Sequence, residues 1–311
     1  MLWLGAADTL RAVHIPDYPM PNHLLVRSVL LVALSLCLAP AQSSNARMTL
    51  ASDGFVAEWL PSTTSDACPA LVLGGAEGGV PRRLAEAAMA QGMAALALAY
   101  FNADGLPAEL ENIPLEYFDK PIARLAAQAP AGCRGVTLLG WSKGAELALL
   151  LASRDTRISA VLAISPSHVT WPGILKDWRK VPGASWTIAG QPRPFVPFDS
   201  TRGATNLVEL YTHSLKQAEA VAAAGIEVEA IRGRVLLLSG SRDDVWPAEA
   251  MAAAVCQRMT RNGRGADCEH RNFADLGHLL DERFMPGSAN AHPAQTVFAG
   301  FLRQIKSSGE T

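Results

Sequence analysis

A serine stands between two glycines in the run Gly140-Trp141-Ser142-Lys143-Gly144, where an apolar stretch ends and a helical pattern begins. A strand-to-helix turn that tight needs glycines beside the serine, and it projects the hydroxyl above the edge of a sheet as a nucleophile. A serine that only caps the following helix is the plainer alternative, but it leaves both glycines without a reason. A serine hydroxyl is a weak nucleophile near neutral pH and needs a base to accept its proton. His278, in Asp275-Leu276-Gly277-His278 just after the strand expected from Cys268 to Ala274, is the expected base. His270 lies inside that strand, where a structural role is expected, and His292 begins the last helix. The imidazole needs a carboxylate to orient it and to stabilise its charged form. Asp243, three residues past Gly240 at a strand end, is the expected acid. Asp244 is the next choice, and otherwise caps the helix starting near Pro247.

The anion formed on attack needs backbone donors fixed in advance. One is expected from the N–H of Lys143, directly after the nucleophile, and the second from Ala76 in the glycine-rich turn Gly74 to Gly79. That turn lacks both the Gly-x-Gly-x-x-Gly spacing and a Gly-Lys-Ser/Thr ending, so phosphate binding is not expected of it. The Lys143 side chain is expected to be solvated or paired with Glu146, within helical range.

Positioning these groups calls for a parallel sheet. Short apolar runs (Ala70 to Gly74, Ala94 to Tyr100, Gly135 to Gly140, Ile158 to Ile164, Val235 to Ser239) alternate with helical patterns, as strands covered by helices on both faces require. A helix is expected from Pro114, carrying Leu115, Phe118, Ile122 and Leu125 at helical spacing and kinked at Pro121. The order serine, acid, histidine along the chain fits an α/β-hydrolase fold, with a mostly parallel central sheet. Residues 165 to about 230 break the rhythm with many prolines among Trp171, Trp178, Trp186, Phe195 and Phe198, and read as an aromatic cap over the site. Trp171, Trp186 and Phe195 are expected to line an apolar acyl pocket.

Composition narrows the partner. The 311 residues carry a formal net charge of -2 with acids and bases interspersed, a field that gathers neither nucleic acid nor anionic lipid. A small-molecule substrate is therefore expected, and no metal-ligand cluster or cofactor motif stands out. Residues 1–41 read as an export signal, with an apolar run from Ser28 to Ala39 after Arg27 and cleavage after Ala41; translation starting at Met20 would suit it better than Met1. The apolar run is too short for a comfortable membrane span. Export predicts a periplasmic or secreted enzyme, and a cytoplasmic one follows if the signal is not real. Residues 42–311 then form a single domain whose four cysteines pair as Cys68 with Cys133 and Cys256 with Cys268.

At several of these segments the chain resembles the C-terminal catalytic domain shared by acyl-CoA thioesterases and bile acid-CoA:amino acid N-acyltransferases. The resemblance runs through Ala95 to Phe101, Gly105 to Pro107, Ile113 to Phe118, Ser142 to Leu147, Asp243 to Trp246 and Gly277-His278. It implies a triad of Ser142, Asp243 and His278, and thioester cleavage through an acyl-enzyme. The larger members of that family carry an N-terminal β-sandwich, for which little chain remains ahead of the first core strand here. Two alternatives stay beside hydrolysis: acyl transfer to an amine or alcohol, and acyl or lipid binding without catalysis.

Overall fold

The computed structural model describes residues 45–307, apart from 178 and 289–291. The expected export signal at 1–41 and Trp178 lie outside those residues. In chain order, β1 (Ala46–Met48), α1 (Leu50–Asp53) and β2 (Val56–Leu60) lead into an alternation of strand and helix. It comprises β3 (Pro69–Leu73), α2 (Arg82–Met89), β4 (Ala94–Ala99), the short β5 (Ile113–Pro114), α3 (Asp119–Gln128), β6 (Val136–Trp141), α4 (Lys143–Ala152) and β7 (Ile158–Ile164). After β7 come β8 (Trp186–Ile188), β9 (Gln191–Pro192), α5 (Leu207–Ser214) and α6 (Ala218–Ala224). The chain returns through β10 (Arg234–Gly240), α7 (Ala248–Arg261), β11 (Cys268–Phe273) and α8 (Pro293–Ser307).

Eight strands form one sheet in the order β1-β2-β4-β3-β6-β7-β10-β11. The β1–β2 and β2–β4 pairs are antiparallel, and every later neighbour is parallel. This is an α/β-hydrolase architecture, and its parallel strands all end on one edge. The central strands are largely apolar because successive side chains enter opposite layers, whereas the edge strand β11 carries Glu269, His270, Arg271 and Asn272. On β10, Val235 and Leu237 join one core cluster while Leu236 and Leu238 join the other; on β3, Leu71 and Leu73 oppose Ala70 and Val72 in the same way.

The helix expected from Pro114 begins later. Pro114 closes β5, which pairs with Trp186 and Thr187 of β8; Leu115–Phe118 form a 3-10 turn, and α3 starts at Asp119. Pro121 therefore falls in the first turn of α3, where its missing N–H leaves no intrahelical bond unmade, and the expected kink has no cause. The segment after β7 is less irregular than its prolines suggest. Its strands complete a small sheet with β5, and its Val169, Trp171, Val196 and Tyr211 pack with Trp246 and Met251 in a third apolar cluster. Disulfides join Cys68 to Cys133 and Cys256 to Cys268, the expected pairs. Among the described residues no helix is long and apolar enough to cross a membrane.

Candidate active site

β6 ends at Trp141 and α4 begins at Lys143, so Ser142 alone makes the turn. It does so with φ 53° and ψ -123°, a strained conformation for a residue with a side chain. Its N–H donates to Ile164 O at 2.9 Å, which fixes the turn to the end of β7. The flanking glycines are demanded by close backbone approach. A Cβ at Gly140 would lie 2.2 Å from Gly144 O, and one at Gly144 would lie 2.2 Å from Gly74 O.

Two neighbouring strand ends supply the partners. Asp243 follows β10, and its Oδ1 accepts the N–H groups of Val245 and Trp246 at 2.9 and 3.0 Å, which orients the carboxylate. His278 follows β11, and its Nδ1 lies 2.9 and 2.8 Å from the two Asp243 oxygens. Its Nε2 lies 3.0 Å from Ser142 Oγ. With Asp243 holding a proton on Nδ1, Nε2 is left with a lone pair for the serine hydroxyl. The two side chains are 13% and 4% exposed, so little water competes for these bonds. The Trp246 ring stands edge-on to the imidazole, with centroids 5.7 Å apart. Beyond His278 the backbone makes a left-handed turn, with Leu279, Leu280, Asp281 and Glu282 at φ 56°, 54°, 48° and 56°. Such residues cost roughly 1–2 kcal/mol each. The burial of Leu280 and an Arg83–Glu282 ion pair hold the turn in place.

The other expected residues lie as follows. His270 Nε2 bonds Ser239 Oγ at 2.7 Å, and His292 Nε2 lies 3.3 Å from Asp275 Oδ2, so neither reaches Ser142. Asp244 is exposed, and the cap position of α7, Pro247, receives no side-chain bond; the expected Asp244 cap is not formed. Lys143 is the first residue of α4, so its N–H has no acceptor within the helix. Ala76 lies in the turn after β3, whose Gly75 packs so closely that an added Cβ would stand 3.1 Å from Ser142 Cβ.

The pocket residues need correction. Trp171 and Trp186 are fully buried and have no face open to a substrate. Trp171 packs on Tyr211 and donates its indole N–H to Ser167 Oγ at 2.9 Å. Trp186 packs on Tyr100 and Phe118 and donates to Glu146 Oε1 at 2.7 Å. Of the three, Phe195 alone keeps a partly exposed side chain.

Glu146 was legible only as a helical neighbour of Lys143. In the structure both are buried, with Lys143 Nζ 2.8 Å from each carboxylate oxygen and 3.3 Å from Trp171 O. Burial pushes the lysine down and the carboxyl up from their ordinary values, and the ion pair opposes both shifts. Together with the N–H of Trp171 and the indole of Trp186, the pair ties α4 to the inserted segment.

Comparison with known proteins follows the same lines. The family described as BAAT / acyl-CoA thioester hydrolase C terminal matches residues 113–301. The chain is 28% identical to human acyl-coenzyme A thioesterase 1 over 218 residues, which cover 68% of this chain and 48% of that protein. It is 27% identical to mouse bile acid-CoA:amino acid N-acyltransferase over 216 residues, again 68% of this chain and 48% of that one. The chain thus spans about half the length of these curated relatives. Among solved structures, the Pyrococcus furiosus esterase Pf2001 is similar at TM-score 0.50 and 14% identity, covering 84% of this chain and 97% of that chain. TT1662 from Thermus thermophilus is similar at TM-score 0.50 and 20% identity, covering 85% and 98%. These structural likenesses concern the fold.

Proposed function

The chain belongs to the family described as BAAT / acyl-CoA thioester hydrolase C terminal, and from that membership we propose that it cleaves an acyl thioester or carboxylic ester through an acyl-serine at Ser142. The observation that carries this reading is the continuous hydrogen-bonded path from Asp243 through His278 to Ser142 at a strained turn.

Ser142 Oγ attacks the acyl carbon while His278 Nε2 takes its proton, and Asp243 stabilises the resulting imidazolium without being protonated itself. The negative charge on the former carbonyl oxygen is met by the N–H of Lys143 and by that of Ala76 across the elbow. Collapse expels the thiol or alcohol, which leaves with the proton from His278. The neutral imidazole then takes a proton from water, whose oxygen attacks the acyl carbon; a second collapse frees the carboxylic acid and returns the proton to Ser142. The thioester half of the substrate class is supported by the relatives named as acyl-coenzyme A thioesterases. The two disulfides favour an oxidising compartment, in keeping with the expected export segment.

The test is labelling with a fluorophosphonate, followed by mass spectrometry of the modified peptide. Wild-type protein is expected to be modified at Ser142 alone, and Ser142→Ala to lose both labelling and turnover of an acyl-CoA and acyl-ester panel. Folded wild-type protein that resists the probe, or full turnover by Ser142→Ala, would overturn the reading.

A further inference from the structure

The turn expected to provide the second oxyanion donor contains a carboxylate that the hydrolytic steps above do not use. Glu77 Oε1 accepts the N–H of Gly75 at 2.9 Å and the indole N–H of Trp141 at 2.7 Å. Gly75 lies in the turn and Trp141 directly precedes the nucleophile, so one side chain joins the two pieces that must face each other across a reacting carbonyl. Both bonds are charge-assisted, about twice as strong as their neutral counterparts.

The remaining polar contacts of the turn lead elsewhere. Tyr100 Oη donates to Gly74 O at 2.6 Å, Asn102 Nδ2 to Glu77 O at 3.2 Å, and Gly79 N–H to Phe101 O at 2.9 Å. These fasten the turn to the segment after β4. Within the turn, Gly78 N–H donates to Gly75 O at 3.4 Å, which holds the carbonyl end of the peptide group whose other end is the Ala76 N–H. The residue at the head of that peptide, Gly75, is held by Glu77. An added Cβ at Gly75 would meet Glu77 Oε2 at 2.9 Å and Trp141 Cδ1 at 3.3 Å, so carboxylate, turn and elbow are in contact.

We propose that Glu77 is a positioning residue: its carboxylate ties the Gly75 N–H to the Trp141 indole and so keeps the Ala76 N–H aimed at the anion that forms on a Ser142-bound acyl group. This rests on the serine-hydrolase reading given above. Displacement of an oxyanion donor acts on the transition state more than on the bound substrate, so the effect belongs in kcat. A carboxylate near a developing anion also opposes that charge through space. Glu77→Gln separates the two effects, because its amide oxygen still accepts while the charge is gone.

The experiment measures hydrolysis of a p-nitrophenyl acyl ester and the second-order rate of fluorophosphonate labelling for wild type, Glu77→Ala and Glu77→Gln. Glu77→Ala is expected to lose kcat and labelling rate by about 10- to 100-fold with KM little changed, the scale of a donor moved by about 1 Å. Glu77→Gln is expected to recover most of the loss. Trp141→Phe, which keeps an aromatic ring and removes one donor of the tie, is expected to fall in the same direction, and it replaces Glu77→Ala should near-UV circular dichroism show that variant unfolded. Wild-type kcat in the folded variants, a loss confined to KM, or Glu77→Gln as impaired as Glu77→Ala would overturn the inference. Wild-type protein unlabelled at Ser142 would instead overturn the hydrolase reading itself, so the two failures are distinct.

Discussion

Asp243 acts twice with one carboxylate: it accepts two backbone N–H groups that fix its own orientation, and it faces His278 Nδ1 with both oxygens. Its neighbour Asp244, which is exposed, offers an internal control. Asp243→Asn is expected to lower kcat by about 10⁴, because an amide leaves the imidazole in the wrong tautomer, while Asp244→Asn leaves turnover unchanged; steady-state kinetics of the two variants checks this. Ser142, Asp243 and His278 were legible as candidates because Ser142 directly follows β6 and the other two stand shortly after β10 and β11, so local turn chemistry announces each. Glu77 was not, and of Glu146 only the helical pairing with Lys143 was. Glu77 meets an indole 64 positions away and Glu146 one 40 positions away, separations that no local pattern encodes. The buried tryptophans were misread for a related reason: Trp171 and Trp186 look like pocket walls by composition, and only the buried polar partners of their N–H groups make them structural.

Among the elements, the sheet was readable because apolar faces on both sides of a strand leave an unbroken hydrophobic run. The inserted segment was read as irregular, although Asn206 marks the start of α5 by accepting Glu209 N–H at 2.9 Å, a cap visible as Asn followed three residues later by Glu. The insertion also holds a titratable group. His168 O accepts Ile226 N–H at 3.0 Å, closing the base of the segment, while burial first and the nearby Arg258 second push its imidazole down to about 4. Its Nδ1 is buried without a partner. Between pH 6.5 and about 4 the unfolded chain therefore binds a proton that the folded chain refuses, and stability is lost as pH falls through that window. The loss is expected to approach about 3 kcal/mol by pH 4 and to shrink in His168→Gln, read by urea denaturation across the pH range.

Over the whole molecule, the two disulfides divide the work unevenly. Cys68–Cys133 closes 65 positions and Cys256–Cys268 closes 12. In the chain-entropy account these loops restrict the unfolded state by about 4 and about 3 kcal/mol. Cys68→Ala/Cys133→Ala is thus expected to lose more stability than Cys256→Ala/Cys268→Ala, and a reductant to lower the urea midpoint of wild type by more than either pair of substitutions; equal midpoints with and without reductant would contradict this. The longer bridge lies just ahead of β3 and β6, the adjacent strands whose far ends carry the glycine-rich turn and Ser142. Mechanically, the two strands are a pair of rails clamped at one end. Sliding one along the other would drag the turn off the elbow, and the clamp resists that shear from the opposite edge of the sheet without touching any reacting atom. Alignment at the working end is in this way held by a covalent bond that substrate never meets.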